Sequence, residues 1–135
     1  MIPFAEKNSR FLARLLAVGL LLLGLSNGTV ANDAAHSLFI KSDGSLWGMG
    51  NNVVGQLGTP PGTPNYDSYP GPVANITDVV QIAAGNNHSL FIKSDGSLWA
   101  MGLNSTGQLG TGNTNNKTTP TQIVSSGVVK ISAGS

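Results

Sequence analysis

The sequence has no cysteine, which excludes a disulfide framework, a cysteine-based zinc site and a thiol nucleophile. Charge is scarce as well. Only 10% of the 135 residues are Asp, Glu, Lys or Arg, too few for the charged helix formers of a helical bundle or coiled coil. Beyond residue 31 there is no arginine and no glutamate. Four lysines and five aspartates remain there, a net charge of −1, so no basic surface is present to neutralise a phosphate backbone. Nucleic acid is therefore not expected as a partner. Long apolar runs are missing too: the longest, residues 15–25 (LLAVGLLLLGL), has 11 residues, against the roughly 20 of a spanning helix.

That run has a context. Lys7, Arg10 and Arg14 precede it, with Glu6 among them, and a short polar stretch ending in Thr29 and Ala31 follows. The layout is that of a secretory signal peptide over residues 1–31, with cleavage expected after Ala31. The chain is thus expected to be exported to a periplasm, cell surface or medium, touching membrane only through the leader before cleavage. An uncleaved signal anchor is the alternative, since residues 11–13 lengthen the stretch past Arg14. The overall charge of +1 belongs to this leader.

The mature part is rich in glycine, and it repeats. Residues 36–59 (HSLFIKSDGSLWGMGNNVVGQLGT) return as residues 88–111 (HSLFIKSDGSLWAMGLNSTGQLGT), identical at 20 of 24 positions. Residues 79–85 (VVQIAAG) return as 128–134 (VVKISAG). Periods near 50 residues mark propellers, solenoids or arrays. Within each unit two short apolar runs flank Asp43-Gly44 or Asp95-Gly96, and this pairing predicts a hairpin with a two-residue turn. No segment beyond the leader shows sustained helical periodicity. The runs are apolar at successive positions, as expected of a sheet covered on both faces. A four-stranded propeller blade is such a sheet. The spacing therefore predicts an all-β chain divided into a leader (1–31), a first unit (32–78), a second unit (79–127) and the start of a third (128–135).

Residues 83–90 (AAGNNHSL) and 102–110 (GLNSTGQLG) resemble the regulator of chromosome condensation repeat, and the likeness covers nearly all of 32–135. It implies part of a β-propeller, about two blades of an expected seven, following the signal helix. The chain would then need the remaining blades of a longer polypeptide, or self-association, to close a ring. The first unit departs from the pattern: Pro60 stands where the second unit has Gly112, and residues 28–35 lack the strand that precedes each later unit. The first blade is thus expected to lack a strand, or to borrow one.

The repeat motif comprises His36, Asp43, Gly44, Trp47, Gly50, Asn52, Gly55, Gln56, Leu57 and Gly58, with His88, Asp95, Gly96, Trp99, Gly102, Asn104, Gly107, Gln108, Leu109 and Gly110 as counterparts. Each has a structural reading. The glycines serve bends or close approaches, Gln108 is expected as a buried amide bonded to backbone, and Asn104 is expected to close an Asx turn. The two tryptophans are read as packing residues and the two histidines as hydrogen-bonded interior groups.

Chemistry is sparse. His36 and His88 have no accompanying ligand cluster for a metal. Residues 50–55 have the glycine spacing of a phosphate loop, but Gln56-Leu57 replaces its Lys-Ser/Thr. There is no Gly-x-Ser-x-Gly elbow, and no carboxylate pair suits acid–base work. No catalysis and no cofactor are expected. Tyr66 and Tyr69, in the proline-rich stretch 59–72 that the second unit lacks, are the candidate binding loop. The sequence predicts an exported, non-catalytic protein-interaction module. The alternatives are a guanine-nucleotide exchange regulator of a small GTPase, implied by the resemblance, and a nonfunctional truncated product.

Overall fold

A computed structural model describes residues 36–61 and 68–135 of the chain; the expected leader and Tyr66 lie outside the described residues. The described residues form seven strands: β1 (His36–Ile40), β2 (Leu46–Gly50), β3 (Gly71–Pro72), β4 (Val79–Ala84), β5 (His88–Lys93), β6 (Leu98–Gly102) and β7 (Lys117–Val124). They make two antiparallel sheets, one of three strands in the order β1-β2-β3 and one of four in the order β4-β5-β6-β7. The second sheet is a complete up-and-down blade. The first has no strand before β1 among the described residues.

The repeated sequence produces repeated register. β1 pairs with β2 through Phe39 opposite Trp47, and β5 pairs with β6 through Phe91 opposite Trp99. The aromatic rings of both cross-strand pairs stack, with centroids 6.3 and 6.1 Å apart.

The hairpin turn is one residue wider than the two-residue turn that Asp-Gly suggests. Gly44 N–H donates to the Lys41 carbonyl and Lys41 N–H to the Ser45 carbonyl, at 2.9 and 3.0 Å, so residues 42–44 form a three-residue loop. Of the loop residues 42–44 only Gly44 takes a positive φ, of 79°, as a type I turn closed by a left-handed glycine requires. A type I′ turn would need positive φ at Asp43 too. Asp43 instead keeps its carboxylate on Ser45, accepting from the backbone N–H at 3.0 Å and the hydroxyl at 2.6 Å. Asp95 does the same for Ser97, and these bonds hold both carboxyls below their ordinary pKa.

The core lies between the sheets. Leu38, Leu46 and Leu57 of the first sheet and its following loop, with Val73 beside β3, meet Val79, Ile82, Phe91 and Met101 of the second. β1 runs beside β4, so the two sheets stack as consecutive blades. The fold is all-β and part of a β-propeller, as the repeat predicts.

Candidate functional site

The distinctive chemistry of the repeat sits at the contact between blades. The loop after β2 is built around Asn52. Its carboxamide oxygen accepts from Leu57 N–H at 2.9 Å, and its nitrogen donates to the carbonyl and hydroxyl of Thr59 at 2.9 and 3.0 Å. Asn104 staples the loop after β6 in the same way, accepting from Leu109 N–H at 3.0 Å. Its nitrogen donates to Thr111 Oγ1, the Asn113 carbonyl and the Asn115 carbonyl. Asn104 therefore does not close a local Asx turn. It is fully buried and ties together positions up to 11 residues away, because the loop folds back over the side chain.

The first loop is covered by the second blade. A Cβ on Gly55, whose φ is 86°, would fall 2.3 Å from Thr118 Cα; one on Gly58 would meet Met101 Sδ at 2.8 Å. Gly102, where a Cβ would lie 2.4 Å from the Asn87 carbonyl and 3.2 Å from Gln56 Cα, lets the second blade approach this loop. Gln56 is fully buried, and its oxygen accepts from Val54 N–H at 3.1 Å. Gln108, expected as a buried amide, is only half-buried; among the described residues no further blade lies over its loop, and its oxygen turns back to Thr106.

The two histidines occupy matching places with different surroundings. Ser89 Oγ donates to the Gln56 carbonyl at 2.7 Å, which uses its only proton. His36 Nε2, 2.9 Å from the same oxygen, is then the donor, leaving Nδ1 unprotonated. Among the described residues that buried Nδ1 has no partner, nor does Gln56 Nε2. Burial, assisted by nearby His88, pushes the His36 pKa down to about 4. Burial also lowers that of His88, whose ring fills the space a Gly85 side chain would take. His36 thus acts as a neutral hydrogen-bond donor across the blade contact.

Trp47 and Trp99 are half-buried. Their indole N–H groups donate to Ser45 and Ser97, and Lys41 lies 4.3 Å from the centroid of the Trp47 ring, a cation–π contact. Tyr69 stands 76% exposed beside β3. A cleft of about 530 Å³ opens between β4, β5 and Gly127–Val129, with Lys93 and Asp95 on its wall. Among the described residues no three His, Cys, Asp or Glu side chains converge as a metal group would require. No helix of the described residues is long and apolar enough to cross a membrane.

Sequence reasoning found the motif residues but missed Ser89, Thr118 and Met101 as the groups that receive the first loop. Their offset from His88 and Gly102 in the repeat was the available signal.

Comparison with known proteins agrees with this geometry. The family model described as Regulator of chromosome condensation (RCC1) repeat matches residues 43–92 and 95–135. Protein RCC2 of Homo sapiens is 39% identical over 106 residues, covering 75% of this chain and 20% of the relative. The RCC1-like G exchanging factor-like protein of Homo sapiens is 34% identical over 93 residues, covering 66% of this chain and 20% of the relative. The crystal structure of Prp20p from Saccharomyces cerevisiae, reported with its binding properties to Gsp1p and histones, superposes with a TM-score of 0.60 at 25% identity. It covers 66% of this chain and 23% of Prp20p. The chain spans about a fifth of the length of the curated relatives it matches.

Proposed function

The chain belongs to the regulator of chromosome condensation repeat family, and we propose on that footing that it is an exported, non-catalytic protein-interaction module. One observation carries the reading: the structural relative Prp20p is described by the proteins it binds, Gsp1p and histones. The chemistry here suits the same class of work. The buried polar groups His36, Ser89 and Gln56 are spent inside the blade contact. The buried titratable groups, His36 and His88, are held towards their neutral forms, and the exposed aromatic Tyr69 sits on a loop-bearing edge. Loops on a rigid sheet scaffold are the usual place for binding.

Export rests on the leader pattern, Lys7, Arg10 and Arg14 ahead of residues 15–25 and then Ala31. Sequencing the N-terminus of the exported chain is expected to begin at Asn32. An intact Met1 would replace secretion by an anchored form.

Affinity capture from the exported fraction, followed by titration with the purified partner, tests the interaction. The expected result is saturable binding that Tyr69→Ala weakens about 10-fold, within the range of exposed aromatic anchors. The alternative is a nucleotide-exchange regulator, favoured by the naming of the human G exchanging factor-like relative. Release of labelled guanine nucleotide from a purified small GTPase is expected to be unchanged by this chain. Saturable acceleration would overturn the module reading in favour of the regulator.

A further inference from the structure

Beyond residue 31 the chain carries four Asn-x-Ser/Thr triplets: Asn75-Ile76-Thr77, Asn87-His88-Ser89, Asn104-Ser105-Thr106 and Asn116-Lys117-Thr118. Such a triplet is an acceptor for an N-linked oligosaccharide when it stands on the surface of an exported protein. The asparagine carboxamide takes the sugar, and the hydroxyl two residues on completes the acceptor. A chain rich in Asn, Ser and Thr produces such triplets by chance, so their surroundings in the fold decide among them.

Three of the triplets are engaged by the fold. Asn104 is fully buried, and its Nδ2 donates to Thr111 Oγ1 at 2.9 Å and to the Asn113 and Asn115 carbonyls at 2.8 and 3.0 Å. A sugar on that nitrogen would displace the bonds that close the loop. Asn87 is half-buried just before β5, and its carbonyl accepts from Leu103 N–H at 2.8 Å. The hydroxyl of its triplet, on Ser89, is buried and committed to the Gln56 carbonyl. Asn116 is exposed, but its Oδ1 accepts from Asn104 N–H at 2.8 Å. The threonine of that triplet, Thr118, is packed on Gly55 in the blade contact.

Asn75-Ile76-Thr77 differs from all three, because its asparagine and its threonine are both exposed. The backbone explains why. Ile76 N–H donates to the Val73 carbonyl at 3.2 Å, which closes a tight turn with Asn75 as its third residue, and Ala74 takes a φ of 45°. The turn is fastened from the blade side. Val73 N–H donates to the Leu46 carbonyl at 2.8 Å and Leu46 N–H to the Ile76 carbonyl at 3.2 Å, while Val73 is buried in the core and Ile76 packs against it. With Val73 and Ile76 held inward, Asn75 and Thr77 stand outside. Thr77 Oγ1 makes a surface bond to Asp78 Oδ2 at 3.0 Å. The second unit has Val124-Ser125-Ser126 at the corresponding positions, so this triplet is no by-product of the repeat.

We propose that Asn75 is a modification site, the acceptor of an N-linked oligosaccharide delivered from a lipid pyrophosphate donor. The proposal rests on the export reading, since the transfer takes place on the far side of a secretory membrane. In the step, Asn75 Nδ2 bonds to the anomeric carbon of the sugar as the bond from that carbon to the pyrophosphate oxygen breaks. The lipid pyrophosphate leaves with the bonding electron pair, and Nδ2 gives up one proton. The retained Nδ2 hydrogen and the carbonyl oxygen keep the amide, so the turn loses no backbone bond. Tyr69 precedes β3 and Asn75 follows it, which places the glycan and the candidate binding residue at opposite ends of that strand.

The test expresses the full chain in a eukaryotic secretory host, once with its own N-terminus and once with a host signal sequence replacing residues 1–31. Chain is recovered from cells and medium together and mapped by peptide mass spectrometry, with and without an amidase that cuts N-glycans and leaves aspartate. Asn75 is expected to read as aspartate in the treated sample only, while Asn87, Asn104 and Asn116 are unchanged. Asn75→Gln and Thr77→Ala are each expected to lose the glycan, and Thr77→Ser to keep it. A glycan on Asn75 under the host signal but not under the native N-terminus supports the acceptor and overturns the export reading alone. A chain without glycan at Asn75 under the host signal overturns the proposal. So does a secreted chain glycosylated at Asn87, Asn104 or Asn116.

Discussion

The loops at residues 50–59 and 102–111 differ little in sequence and share their internal hydrogen bonds, but they differ in what lies over them. In both, an asparagine accepts from the N–H of a leucine five residues on, and a glutamine oxygen accepts from the backbone two residues back. Gly55, Gln56 and Gly58 are buried under the second blade, whereas Gly107 and Gly110 are exposed and Gln108 half-exposed. The local sequence therefore builds the loop, and the neighbouring blade decides what each residue contributes. One motif residue is an interface residue in the first unit and a turn residue in the second.

Substitutions at matched positions break this comparison most sharply. Gly55→Ala is expected to be the most damaging, at about 3–5 kcal/mol, because a left-handed residue acquires a Cβ and that Cβ collides with Thr118 backbone. Gly107→Ala has the same backbone strain, at φ 79°, with open space around it, and is expected to cost only about 1–2 kcal/mol. Urea unfolding midpoints of the two variants in dilute solution measure the difference.

Met101→Ala against Met49→Ala repeats the comparison with side-chain packing. The buried methionine is expected to cost about 3 kcal/mol and the exposed one less than about 1 kcal/mol, read by the same unfolding curves.

His36 brings the comparison under control of pH. Its pKa falls from 6.5 to about 4 on folding, so between those values the unfolded chain binds more protons than the folded one. Stability is then fully present above about pH 6.5 and declines as pH falls towards 4, by on the order of 2–3 kcal/mol. The proton would have to sit on Nδ1, which is buried with no partner among the described residues. A plot of unfolding free energy against pH is expected to slope through this window, and His36→Gln is expected to reduce the slope, the remainder coming from His88, whose pKa burial also lowers.

The smallest effect concerns Asp78, which takes φ 62° where the second unit has Gly127 at φ 84°. Asp78→Gly removes left-handed strain and adds unfolded-state freedom. The balance is expected to stabilise the chain by about 0.5 kcal/mol, visible as a small rise in melting temperature.

Much of this was legible from sequence. Because residues 36–59 and 88–111 nearly coincide, one hairpin register served for both. The width of the turn was not legible, because Asp-Gly suits both a two-residue and a three-residue loop, and only the φ of Asp43 separates them. Nor was the reach of Asn104, whose partners Asn113 and Asn115 come within range only when the loop closes. The unequal roles of Gln56 and Gln108 could not be read at all from identical residues in identical motifs. They follow from contacts of the first loop with Ser89, Thr118 and Met101, which among the described residues the second loop does not share.

Amide hydrogen exchange in dilute solution tests the blade contact most directly. Gly58 N–H bonds the Gly55 carbonyl at 2.9 Å and Gly110 N–H bonds the Gly107 carbonyl at 3.0 Å, so the hydrogen bonds match and only the cover differs. Stacked blades predict that the amide of Gly58, which is buried, exchanges at least about 100-fold more slowly than that of Gly110, which is exposed. Equal protection of the two loops would contradict the stacking of the blades.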